Sequence, residues 1–144
     1  MSYAEYQIAR TFLVRADHEA ELVSFIASLA RENNIEVGAF TAIGALKSAQ
    51  LGYYDQARHQ YQEVEISSPC EIASCLGNIS LKDGEPFVHA HAVLADKNGQ
   101  AIAGHLVKGT VFAAEIYLQE LRGPKPERQP DRITGLSLWK FASH

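Results

Sequence analysis

Cysteine is scarce in this chain: Cys70 and Cys75 are the only two in 144 residues. That count excludes the disulfide framework of a small secreted domain. Alternation along a strand would send positions 70 and 75 to opposite faces, so both are expected as reduced, partly buried thiols sharing neither a bridge nor a metal. Long apolar runs are missing too, and none approaches the roughly 20 residues of a bilayer-crossing helix. The opening Met1-Ser-Tyr-Ala-Glu-Tyr has neither a basic nor an apolar leader region. No membrane partner and a cytoplasmic address are therefore expected. Basic residues are in deficit, with 13 Lys and Arg against 17 Asp and Glu and a formal charge of -4. Duplex-binding domains gain most of their affinity by neutralising phosphates, so this charge disfavours DNA as an unaided partner and leaves only a local basic patch. The glycines make no phosphate-loop pattern, no serine or cysteine sits in a nucleophile motif, and no internal repeat is visible.

What is present is an ordinary globular composition, 47% apolar and 21% charged, in a length that suits one domain spanning residues 1–144. Tyr6–Arg15 reads as a first strand. Asp17 is a candidate N-cap, and from Glu19 the residues Leu22, Phe25, Ile26 and Leu29 follow helical spacing to about Asn33. Asn33-Asn34 suits the stop, because Asn tolerates the left-handed conformation. Strands are predicted over Val37–Ile43 and Ala49–Tyr54, then Tyr61–Ser67 and Glu71–Ser80, with Lys82–Pro86 as a turn. Phe87–Ala95 should pair with Ala101–Leu106 through Asp96–Gly99. Val111–Leu121 reads as a strand, Arg122–Thr134 as a loop and Gly135–Phe141 as a short closing strand. One amphipathic helix with many strands predicts an α+β domain on a largely antiparallel sheet. Closure into a barrel-like form or symmetric oligomerisation would cover its edges.

Three of the six histidines fall in the Phe87–Leu106 segment. His89 and His91 share a strand face. A three-residue loop of Lys97, Asn98 and Gly99 would pair Asp96 with Gln100, Leu94 with Ile102 and His91 with His105. Cross-strand neighbours lie about 5 Å apart, so His89, His91 and His105 are predicted to converge. Three imidazoles on one point could ligate a metal ion with a fourth position open; zinc suits them best, and Ni, Fe or Cu fit the same ligand type. Phe87 and Val93 share the histidine face, and Val88, Ala90, Ala92 and Leu94 form the other, so the strand is expected to be covered on both sides. Buried imidazoles without partners would cost about 1–3 kcal/mol each; either a zinc-like ion or an acid such as Glu115 would satisfy them. His18, His59 and His144 read as surface residues, and Arg10 and Arg15 as a solvated strand edge. Arg122-Gly-Pro-Lys-Pro lacks the Arg-Gly-Arg-Pro core of a minor-groove AT-hook.

The run Gly77-Asn-Ile, Pro86-Phe-Val-His-Ala-His-Ala-Val-Leu-Ala-Asp, Gly104-His-Leu and Gly109-Thr-Val-Phe resembles the PPC domain (plants and prokaryotes conserved). Ala42-Ile-Gly-Ala-Leu, Gly52-Tyr-Tyr-Asp and Thr134-Gly-Leu extend the likeness over nearly the whole chain. The resemblance implies a bent antiparallel sheet and a homotrimer. It also implies two relationships of function: plant members join the domain to AT-hooks and bind DNA, while stand-alone prokaryotic members carry that label by association. The fold is similar to that of acetolactate decarboxylase, where a His-x-His pair and a later histidine bind zinc beside an arginine and a glutamate. By that analogy His89, His91 and His105 would be the ligands, with Glu115 and an arginine as partners. Ala103 departs from the Gly-Gly-His-Leu usual in the family. Three functions follow as expectations: a metal site that binds a small molecule, as an enzyme or not; a DNA-associated regulator using Arg122, Lys125, Arg128 and Arg132; and a trimeric protein-interaction module.

Overall fold

A computed structural model describes residues 3–141. Its elements are β1 (Gln7–Ala16), α1 (Leu22–Glu32), β2 (Gly38–Asp55), β3 (Gln60–Ile66), β4 (Cys70–Lys82), β5 (Glu85–Ala95), β6 (Ala101–Arg122), β7 (Glu127–Pro130) and β8 (Ser137–Lys140). The strands form one bent sheet in the order β3-β2-β6-β5-β4-β7-β8, with β1 also on β6 and a further β2–β4 ladder. Every ladder is antiparallel except the Leu81–Glu127 pairing of β4 with β7. This is the expected α+β class. No helix among the described residues is long and apolar enough to cross a membrane.

The helix buries Leu22, Ile26 and Ala30, residues four apart that share one face, and packs on β5 and β6. Its start is not Asp17. Glu19 takes a left-handed φ of 68°, which breaks the helical path, and Glu21 is the cap. The Glu21 carboxylate accepts from Val23 N at 3.0 Å and Ser24 N at 2.8 Å, and from Gly109 N on β6 at 3.2 Å. The stop is as expected, with Asn34 left-handed at φ 55°.

The central strands are longer than the sequence pattern suggests. The strands expected over Val37–Ile43 and Ala49–Tyr54 are, from Gly38 onward, two halves of β2, which continues through Gly44 at φ +134°. A Cβ at Gly44 would stand 2.2 Å from the Ala113 carbonyl oxygen, so only glycine permits the bend against β6. Likewise Ala101–Leu106 and Val111–Leu121 are one strand, β6, with register shifts against β2 near Leu46–Ser48 and Gln50–Leu51. Such shifts let a strand turn without ending. The turn before β5 is tighter than Lys82–Pro86: Asp83 and Gly84 are both left-handed, the signature of a two-residue hairpin turn.

Both cysteines are free, as expected, but a bulge overturns their placement on opposite faces. Ile72 faces Leu94 and Ser74 faces Val93, so Ala73 is an extra residue in β4. It restores Cys75 to the face of Cys70, and both thiols join the buried core with Ile72, Ile79, Val88, Leu94 and Leu118. The segment Arg122–Thr134 is not all loop either, since it contains β7. Four residues are too few to display alternation.

Candidate metal centre

The β5–β6 hairpin has the register that the turn chemistry predicts. His91 pairs with His105, Leu94 with Ile102 and Ala95 with Ala101, and Asp96 N donates to Gln100 O at 3.0 Å. Asp96 Oδ1 accepts from the backbone N–H groups of Asn98 and Gln100 at 2.8 and 2.9 Å, and Gly99 takes φ 76°. These bonds lock the turn that sets the register. Ala103 is exposed beside Val93, so its methyl obstructs nothing. The close approach falls on Gly104, where a Cβ would meet the Gly52 carbonyl oxygen at 2.9 Å.

His89, His91 and His105 converge, each offering a ring nitrogen within 4.8 Å of the other two. Their ring centroids are 5.1, 5.2 and 5.6 Å apart. A tetrahedral ion with metal–nitrogen bonds of about 2.0–2.1 Å holds its ligand nitrogens about 3.3 Å apart. Each pair thus needs to close by at most about 1.5 Å, within reach of small side-chain rotations. The donor set fits a transition metal in a second way. His105 Nδ1 is buried with no hydrogen-bond partner among the described residues, a position that costs about 1–3 kcal/mol unless something occupies the lone pair or takes the proton.

Burial, more than any neighbouring charge, favours the neutral form of two of these rings, His89 and His105. Burial pushes the His89 imidazole down to about 4, helped by the charges of Arg128, His105 and His91. His105 is lowered by burial first, then by His91 and Arg128. Neutral imidazole is the metal-binding form.

The face is more open than the sequence implies. Val88, Ala90, Ala92 and Leu94 are buried on the core side as expected, but His91 is exposed and Val93 is 37% exposed. Among the described residues no acid joins the three histidines as a further metal-ligating group. Glu115 stands on the far half of β6, opposite Arg15 and Ile43, because the nine residues between it and His105 carry it away. Instead the site is walled by aromatic rings and one arginine. The Tyr61 ring of β3 lies 5.5 Å from His105 and 5.0 Å from Tyr54, and Tyr54 Oη donates to Thr134 O at 2.6 Å. Asn78 is paired with His89 across the β4–β5 ladder. A pocket of about 350 Å³ is lined by Asn78, His89, Arg128, Leu138, Trp139 and Phe141.

Arg128 is the residue that sequence reasoning placed wrongly. Grouped with Arg122, Lys125 and Arg132 as a surface patch, it turns inward from β7 and donates from Nε to Ser80 Oγ (2.9 Å), from Nη1 to Ser137 O (3.0 Å) and from Nη2 to Asn78 Oδ1 (3.0 Å). Its guanidinium lies 5.0 Å from the Phe87 ring centre and 5.6 Å from that of Trp139. Lys125 pairs with Glu36 at 2.5 Å, so the expected patch is divided. Arg10 pairs with Glu120 and donates to Asn33 O at 2.7 Å. His18 and His59 are exposed as expected, and His144 lies outside the described residues.

Residues 3–122 match the Plants and Prokaryotes Conserved (PCC) domain, the PPC domain of the resemblance above. The chain belongs to this family. A metal-containing protein from Archaeoglobus fulgidus is 41% identical to this PPC chain, with a TM-score of 0.94 over 97% of this chain and 99% of that one. A PPC protein from Pyrococcus horikoshii is 40% identical with a TM-score of 0.93, and each chain is covered in full, 100%. A candidate DNA-binding protein from Ralstonia eutropha JMP134 is 27% identical with a TM-score of 0.84, over 95% of this chain and 96% of that one. A Staphylococcus aureus protein similar to alpha-acetolactate decarboxylase shares the fold alone, at 14% identity and a TM-score of 0.50 over 78% of this chain and 52% of that one. Among curated proteins, the bifunctional protein GlmU of Synechococcus sp. (strain JA-2-3B'a(2-13)) is 33% identical over 118 residues, 80% of this chain. The chain spans only 17% of that relative's length.

Proposed function

We propose that His89, His91 and His105 bind one divalent transition-metal ion, zinc by ligand type, and that the domain uses the site to hold a small molecule. The observation that carries this reading is the convergence of three imidazoles, one of them with an orphaned buried nitrogen. The 41% identical A. fulgidus relative is a metal-containing protein, which supports it. Three protein ligands leave a fourth position for an outside ligand. A bound ion would supply Lewis acidity to an oxygen there, while this chain's own Asn78, Arg128 and aromatic rings would orient what binds. Fold likeness transfers no reaction, so the proposal is of a binding site.

The deciding experiment is elemental analysis of untagged protein after zinc incubation, beside His89→Ala and His105→Ala. Wild type should retain about one ion per chain, as one three-histidine site requires, and both variants should lose it. Equal metal in all three would refute the assignment.

The second reading is DNA association, supported by the R. eutropha relative. It would rest on exposed Arg122 and Arg132, against a net charge of -4, and on a steep salt dependence. Absence of a DNA mobility shift at low salt would remove it. We also propose that the chain self-associates as a homotrimer. Leu13 and Ile43, 84% and 57% exposed, flank a groove of about 490 Å³ that also contains Arg15, Thr41, Glu115 and Tyr117. Such a surface equally suits an interaction module with another protein.

A further inference from the structure

Arg128 is a half-buried cation without a counter-charge. Among the described residues it makes no ion pair with a carboxylate, and its three hydrogen bonds all go to neutral oxygens. One of these, Ser80 Oγ, belongs to a side chain with 0% exposure, so the guanidinium is held from within the protein. Because arginine only donates, Asn78 must present its amide oxygen to Nη2, which leaves the amide N–H groups of Asn78 without a protein acceptor among these bonds. The guanidinium has five N–H groups. Nε has spent its single one, and Nη1 and Nη2 have each spent one of two. One N–H on each terminal nitrogen remains, the number that a bidentate carboxylate accepts.

The pocket next to this fork has a consistent chemistry. Its lining contains no acidic residue: Asn78, His89 and Arg128 are polar, and Leu138, Trp139 and Phe141 are apolar. An unpaired cation beside apolar walls is unfavourable until an anion arrives. Lys82, the other cation over the Phe87 ring, has its ammonium 5.4 Å from the ring centre and is itself exposed. One fixed, partly desolvated charge matches a monoanion better than a phosphate dianion.

We propose that this pocket is a subsite for a small organic carboxylate, received by Arg128 and packed against Leu138, Trp139 and Phe141. The proposal deepens the reading of the histidines as a metal site, since the same ligand would reach the ion beside His89. The anion contact itself belongs to Arg128 and can be tested separately.

Trp139 is the chain's only tryptophan, and the Arg128 guanidinium lies 5.6 Å from its ring centre. Its emission therefore reports on this pocket. Sodium butyrate, neutral butyramide and inorganic phosphate are titrated at constant ionic strength into zinc-loaded and EDTA-treated protein, with metal content measured in parallel. Butyrate should give a saturable change and butyramide none. Arg128→Gln should weaken butyrate by at least about tenfold, the loss of a charge-assisted pair, with zinc content unchanged. Arg128→Lys, which keeps the charge and loses the fork, should fall between.

Three results would overturn the proposal: no saturable butyrate response in zinc-loaded wild type, an equal response in folded Arg128→Gln, or tighter binding of phosphate than of butyrate. Should the Gln variant lose its fold by circular dichroism, the contrast of butyrate with butyramide on wild type decides. A butyrate response that depends on Arg128 in protein that takes up no zinc would sink the metal reading and leave this one standing. Zinc uptake without a butyrate response would do the reverse.

Discussion

Acidification should cost the metal-free protein stability through His89, in a direction that the site geometry dictates. Its imidazole is held down to about 4 in the fold, against about 6.5 for an unperturbed side chain. The unfolded chain therefore binds a proton that the native one refuses between those values. Stability is fully present above the unfolded value and is lost as pH falls through the window toward about 4. The gap corresponds to about 3 kcal/mol as a ceiling. His89 is only part-buried, so solvent screening reduces the expected effect to about 1–2 kcal/mol. His105, lowered by burial and by the same neighbours, adds loss of the same sign. Urea unfolding of EDTA-treated protein from about pH 7.5 to about pH 4.5 would measure it. The control is His89→Gln, which keeps a polar side chain but cannot titrate. Wild type should lose about 1–2 kcal/mol more than the variant over that interval. If the difference between the two proteins stays constant with pH, the neutral, desolvated state of His89 is wrong.

Two further outcomes follow from the fold. Gly44→Ala places a Cβ 2.2 Å from the Ala113 carbonyl oxygen at a φ of +134°, and thermal or urea denaturation should show a loss of about 2–4 kcal/mol; a near-neutral result would mean that β2 bends elsewhere. Leu13→Asp, at a residue 84% exposed in the single chain, should keep a native circular dichroism spectrum yet shift light-scattering mass from the proposed trimer to monomer. An unchanged mass would remove this face from the proposed interface.

The readable parts of this sequence were those governed by local rules. Asp96 and Gly99 determine a turn by backbone chemistry, and once the turn is known the His91–His105 register follows by counting. The helix face Leu22, Ile26 and Ala30 obeys its period. Legibility failed where a single residue is inserted or a contact is long-range. Ala73 reverses the side on which Cys75 lies, and nothing in its own identity marks it as extra. Glu21 rather than Asp17 caps the helix because Gly109, 88 positions away, also donates to its carboxylate. Arg128 reaches Ser80 and Asn78 across separations of 48 and 50 residues, and its neighbours on β7 are too few to announce a strand. The histidine half of the candidate site was therefore visible beforehand, and the arginine half was not.

That division has a consequence for cooperativity. The three histidines sit within one hairpin of long, many-rung ladders, whereas β7 joins the main sheet through the Leu81–Glu127 pairing and the Leu81 N to Pro126 O bond at 3.1 Å. Arg128 is thus a clasp as well as a candidate receptor group. The β7–β8 hairpin, Glu127–Lys140, is therefore expected to open while the rest stays folded, in the manner of a low-stability foldon. A ligand seated on the guanidinium would close that unit, and amide exchange across β7 and β8 would slow while β5 and β6 kept their protection. Retention of a bound molecule would then depend on how often a short terminal hairpin lets go, rather than on the strength of any one contact.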